Sequence, residues 1–230
     1  LSGPNSWDKL EPYFDKVIRN KIPAYRVLPL KARYRVVTWR TVVKANQGGG
    51  DHLARIEEAF GCKIIHFLRH PAAVALSREV FPLLKDFSRS SLRNHFSSRE
   101  LQLADTVIKN GDHIEQGVVA WCIHHCMPLR ASRASWFVCT YEATVLNPLG
   151  VLEALGEYLG ESGNVSKMLQ AIDKPSAVLR KSDFATQKLL KDSSNRKLLV
   201  EKWMNKLSSD QMDRVDEILK EFDVSLYDGN

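Results

Sequence analysis

No apolar run in this 230-residue chain approaches the roughly 18 residues that a membrane-spanning helix needs. No secretory leader pattern is visible, although the chain opens on Leu1 rather than Met. Cysteine is scarce: Cys62, Cys122, Cys126 and Cys139 are the whole set, with no Cys-x-x-Cys pair. So few cysteines do not make a disulfide framework in a chain of this length. Cys122 and Cys126 flank His124 and His125, but Cys-x-His-His-Cys matches no common zinc spacing. On a helix, positions 122 and 126 share one apolar face, so a packing role is expected and no metal. Internal repeats and low-complexity tracts are absent. No Lys/Arg run is interleaved with aromatics, which argues against nucleic acid as a partner. A Gly-Lys-Ser/Thr phosphate loop is missing too, which weakens a kinase reading.

What the chain does have is 44% hydrophobic residues, enough for one sizeable core. A net charge of +6 suits an anionic ligand. Short β-rich runs alternate with longer helical periods, the pattern of an α/β domain. Val36–Val43 reads as a strand, broken by Gly48-Gly49-Gly50. Asp51 then caps a helix to about Phe60, ended by Gly61. Residues 63–68 form a second strand, so continuously apolar that burial on both faces is expected. Pro71 opens a helix at the position where its missing N–H costs nothing. Gly111–Leu129 is helical, Trp136–Thr140 is a third strand, and Pro148–Leu159 is an amphipathic helix. Residues 161–195 are irregular, with room for one short helix. Ser208, followed by Asp210 and Gln211, caps a last helix to Phe222.

The segment 63–80 carries the functional signal. Leu68-Arg69-His70-Pro71 sits where a strand becomes a helix, and ligands of α/β sheets bind at the carboxyl ends of strands. A helix N-terminus there offers free N–H groups to an anion, and a guanidinium can grip a phosphate with two hydrogen bonds. Ser77 lies a little under two helical turns beyond Pro71 and could add a hydroxyl. Against this stands the plain alternative of a surface Arg and a helix Ser.

The string Lys63-Ile-Ile-His-Phe-Leu-Arg69-His-Pro71-Ala-Ala-Val74-Ala-Leu-Ser77 resembles the 3′-phosphate motif of sulfotransferases that use 3′-phosphoadenosine 5′-phosphosulfate (PAPS). Arg69 and Ser77 occupy its two ligand positions. Further matches follow in order. Lys44 stands close to the family's strand-end Lys. Trp136–Glu142 resembles its strand ending in Tyr-Glu-Asp. Arg196 and Lys197 precede Trp203 at the spacing of its second 3′-phosphate loop. The resemblance covers most of the chain from about Val36 and is nearer the carbohydrate-type branch than the small-phenol branch. It implies a three-layer α/β fold with a central parallel sheet flanked by helices, of the P-loop-like sulfotransferase type. It also implies PAPS as donor, adenosine 3′,5′-bisphosphate as product, no metal, and a small-molecule or carbohydrate acceptor.

The departures are informative. Ala143 replaces the usual Asp after Tyr-Glu, and Leu198 stands where a Gly usually follows Arg-Lys. Ser2, Gly3, Asn5 and Ser6 resemble the first half of the 5′-phosphosulfate loop, and then Trp7 begins something else. A single domain over residues 1–230 is expected, lacking part of that loop near residues 6–7. By the resemblance, Lys44 would neutralise the leaving phosphate and Tyr141 would pack near the nucleotide base. Asn46 stands where the cytosolic branch has a His base. His52 is therefore a candidate base, beside a carboxylate of the N-terminal part. His66, His124 and His125 read as structural. The alternative functions are a nucleotide-binding scaffold that has lost catalysis, and a small-molecule kinase.

Overall fold

A computed structural model of the chain describes residues 6–18, 42–44, 52–172 and 196–227. Helix α1 (Ser6–Ile18) and helix α2 (Leu53–Phe60) come first. Trp7 and Phe14 of α1 pack with Leu53, Ile56 and Phe60 of α2 in a small cluster that also takes in Ile64 and Trp136. Gly61 ends α2 at φ 57°, a left-handed conformation that a Cβ disfavours. The chain then enters β1 (Ile65–Leu68).

β1 pairs in parallel with β2 (Phe137–Thr140), Ile65 opposite Phe137 and Leu68 opposite Thr140. Parallel strands need a long crossover. Here it is helical: α3 (Pro71–Ala75), α4 (Pro82–Phe87), α5 (Ser98–Asn110) and α6 (His113–Arg130). After β2 come α7 (Tyr141–Leu146), α8 (Pro148–Leu159), α9 (Val165–Ile172), α10 (Arg196–Glu201) and α11 (Ser209–Glu221). The described residues therefore form a helix-rich α/β structure around a two-stranded parallel sheet. Among them no helix is long and apolar enough to cross a membrane.

The core is built around α6, which buries Val118, Val119, Trp121, Cys122, Ile123 and Cys126 among others. α11 lays Val215, Ile218, Leu219 and Phe222 into the same core. Three capping boxes fix helix starts: Ser97 with Glu100, Asp112 with Glu115, and Ser208 with Gln211. Two of them are cross-tied, because Gln211 Nε2 donates to Asp112 Oδ2 at 2.9 Å. Arg130 donates to the buried Glu100 and, at 3.1 Å, to the Phe222 carbonyl, joining α5, α6 and the end of α11.

Several expectations change. The α2 cap falls at His52, whose side chain makes no capping hydrogen bond to the helix, while Asp51 lies outside the described residues. β1 is not buried on both faces: His66 and Leu68 point inward, whereas Ile65 and Phe67 are exposed among the described residues. A continuous apolar run thus carries two differently used faces. The strand expected over Val36–Val43 lies mostly outside the described residues, and Val42, Val43 and Lys44 are not in a strand. The long helical pattern after Gly111 is present as α6, and a second helix, α5, precedes it.

Gly117 brings α3 and α6 together. A Cβ placed there would lie 2.4 Å from Ala75 Cβ and 2.9 Å from Ala75 Cα. Gly117→Val should therefore push α3 away and cost about 1–3 kcal/mol, the usual scale of overpacking. Gly163→Ala, where the new Cβ meets open space, should change the melting temperature little. Thermal melting of both variants checks this, and an unshifted Gly117→Val would contradict the close crossing.

Candidate functional site

The strand register continues past the strand ends. One residue beyond β1 is Arg69 and one beyond β2 is Tyr141; the next pair is His70 and Glu142. Both pairs touch. The Arg69 guanidinium lies over the Tyr141 ring, 4.8 Å from its centroid, and the His70 N–H donates to Glu142 Oε1 at 3.0 Å. Arg69 Nε is buried and has no hydrogen-bond partner among the described residues. Four other arginines are held by acids: Arg93 pairs with Asp105, Arg130 with Glu100, Arg133 with Glu57 and Glu58, and Arg214 with Glu115 and Glu217. A half-buried guanidinium that, among the described residues, is held by an aromatic face and no acid is a ready receptor for an anion.

His70 is the buried hinge of this turn. Its ring stacks on Trp203 at 4.1 Å and meets the Tyr227 ring edge-on at 4.8 Å. Its Nδ1 accepts the Ala72 N–H at 3.3 Å, so a neutral ring carries its proton on Nε2. Burial, with the Arg69 charge nearby, lowers the His70 pKa to about 4. Trp203 arrives from the C-terminal region, just after α10, which packs on α7. Tyr227 belongs to the short turn Ser225–Tyr227 that follows α11. Its hydroxyl and Glu142 Oε2 are both buried without partners among the described residues. Burial and the Glu142 charge push the Tyr227 phenol well up.

This geometry revises the expected anion grip. α3 has only five residues, and its first-turn amides are largely spoken for. Pro71 has none, the Ala72 amide is held by His70 Nδ1, and the Val74 amide by the His70 carbonyl. The His70 amide itself goes to Glu142. Among the described residues the Arg69 side chain offers an open donor, while most of these amides are taken.

The other candidates are placed as follows. α3 stops before Ser77, which is exposed in the following turn and donates its hydroxyl to the Val74 carbonyl at 2.8 Å. No hydrogen bond joins Ser77 to Arg69 among the described residues. Arg196 and Lys197 open α10, and Lys197 pairs with Glu201 at 3.4 Å. Lys44 is exposed. His52 is buried, its ring 5.7 Å from that of Trp7. Ser6 starts α1, while Ser2, Gly3 and Asn5 lie outside the described residues. Among the described residues no group of three or more His, Cys, Asp or Glu side chains could hold a metal ion.

Beneath the site His66 reaches from β1 to α6, where His66 Nε2 and His125 Nδ1 are 3.1 Å apart. Burial lowers the His66 pKa to about 4. The His125 pKa falls to about 3, through burial first and then the neighbouring His66, His124 and Arg78 charges. Sequence reasoning had no signal for the His70–Trp203–Tyr227 stack, whose members meet only in three dimensions. Glu142 carried one, its place beside Tyr141.

Comparison with known families gives a match over residues 58–224, more than half of the chain, to the family described as the sulfotransferase domain. No curated protein and no solved structure matches the chain.

The lowered pKa values of His66, His70 and His125 make stability pH-dependent. On unfolding, His66, His70 and His125 regain the ordinary histidine pKa near 6.5, so the unfolded chain binds more protons below that pH. Their contribution is full above about pH 6.5 and is lost as pH falls through their folded values near 4. Melting temperature should fall between about pH 7 and pH 5, and His70→Gln should flatten that slope. An unchanged slope in the variant would contradict the neutral buried state of His70.

Proposed function

The chain belongs to the sulfotransferase family, and from that premise we propose that it transfers a sulfuryl group from PAPS to a hydroxyl or amine of a small-molecule or carbohydrate acceptor. The observation that carries the donor assignment is Arg69, unpaired among the described residues, stacked on Tyr141 at the carboxyl ends of two parallel strands. A 3′-phosphate would supply the oxygens that the guanidinium lacks, and Tyr141 would hold the guanidinium plane for it. Ser77 can join by turning its hydroxyl from the Val74 carbonyl to the phosphate. By the resemblance, Arg196 and Lys197, on the helix leading to Trp203, would add positive charge for the same phosphate.

In the reaction the acceptor oxygen or nitrogen forms a bond to sulfur. The bond from sulfur to the bridging oxygen breaks, the acceptor's proton goes to a base, and adenosine 3′,5′-bisphosphate leaves. Most of the catalysis lies in clamping the donor and stabilising charge on the departing phosphate. Lys44 is the proposed cation for that charge. His52, buried with its ring 5.7 Å from that of Trp7, remains the proposed candidate base, beside a carboxylate of the N-terminal part.

Sulfur-labelled PAPS and γ-phosphorus-labelled ATP, each offered with a panel of carbohydrate and phenolic acceptors, test the reading. Label should move from PAPS and not from ATP. Arg69→Ala should raise the donor KM about ten-fold or more, the scale of a lost hydrogen bond to a charged group. Ser77→Ala should raise it less. Transfer from ATP alone, or a donor KM indifferent to Arg69→Ala, would overturn the assignment.

A further inference from the structure

Arg69 is useful to an anion only if it is aimed, and the residue that aims it is not itself a cation. The peptide between Arg69 and His70 is gripped from across the sheet by Glu142, whose Oε1 accepts the His70 N–H at 3.0 Å. That peptide plane sets the direction in which the chain leaves Arg69, and so where the guanidinium lies over Tyr141. On the far side His70 is clamped between Trp203 and Tyr227. The amide can swing only if the Glu142 contact breaks. The same contact keeps the Glu142 carboxylate on a backbone donor instead of on the guanidinium. No ion pair joins Glu142 to Arg69 among the described residues, and Arg69 Nε stays open.

We infer that Glu142 is a positioning residue for donor binding: through its hydrogen bond to the His70 amide it holds the Arg69–His70 turn in the anion-receiving geometry without neutralising Arg69. This rests on the proposed donor site. The role belongs to the hydrogen bond and its reach rather than to the negative charge. Glutamine keeps the length and a carbonyl oxygen, whereas aspartate keeps the charge but is a methylene shorter.

The experiment is calorimetric titration of adenosine 3′,5′-bisphosphate into the wild-type chain, Arg69→Ala, Glu142→Ala, Glu142→Asp and Glu142→Gln, each first checked for cooperative melting. Glu142→Ala and Glu142→Asp should weaken binding about ten-fold, the scale of one hydrogen bond to a charged group, while Glu142→Gln stays within about three-fold of wild type. With an acceptor in hand, Glu142→Ala should raise the donor KM and leave kcat nearly unchanged. If Arg69→Ala loses binding but all three Glu142 variants match wild type, the positioning role is overturned and the donor site stands. Weak binding by Glu142→Gln with normal binding by Glu142→Asp would assign the effect to charge and also overturn it. A wild-type chain that takes up no bisphosphate overturns the donor site and this inference together. Should Glu142→Ala fail to fold, the Asp and Gln pair decides.

Discussion

The parallel pairing of β1 with β2 is the constraint on which the rest depends. With Leu68 opposite Thr140, the residues that follow each strand are brought side by side. Arg69 comes over Tyr141, and His70 comes within hydrogen-bond reach of Glu142. A one-residue slip would turn every side chain to the opposite face and separate both pairs. The register is held from outside the sheet as well. The Tyr158 hydroxyl of α8 donates to the Ile64 carbonyl at 3.0 Å, and the Tyr158 ring stacks on Phe137. Glu57 of α2 accepts from the Trp136 indole at 2.7 Å, just before β2 starts.

The site combines a dry support with one unneutralised charge. His70 is buried between two aromatic rings and remains neutral because burial penalises its charged form. That neutrality matters beside Arg69, since a second cation in the same turn would repel the guanidinium. The carboxylate nearest the turn is spent on a backbone amide. Among the described residues Arg93, Arg130 and Arg214 are matched to acids, whereas Arg69 has no ion pair and stands at the strand ends, where α/β proteins bind ligands. An unpaired buried donor costs stability, and a bound anion would return that cost as affinity.

Features set by local chemistry were legible in the sequence. Gly61 as a left-handed helix end, Pro71 and Pro148 as helix starts, and Ser208 with Gln211 as a capping box all follow from neighbouring residues. Arg69 and Tyr141 were legible because each ends a recognisable apolar strand. What depends on tertiary contact was not. The run 63–68 does not reveal that Ile65 and Phe67 face outward, because burial of a strand face is decided by its neighbours. α5 was missed although Ser97 and Glu100 announce its capping box, since its apolar positions are diluted by charge. The helix N-terminus looked like an open anion site, but His70 and Glu142 had already taken two of its amides.

The central claim is that this register builds a clamp for a 3′-phosphate around Arg69. The most direct measurement is the thermal shift of the wild-type chain with adenosine 3′,5′-bisphosphate against the shift with AMP, which lacks the 3′-phosphate. A ligand at about a hundred times its Kd adds roughly 2.7 kcal/mol to stability. The account predicts a clear upward shift with the bisphosphate, little with AMP at the same concentration, and loss of the difference in Arg69→Ala. Equal shifts for the two nucleotides, or a difference that survives Arg69→Ala, would contradict it.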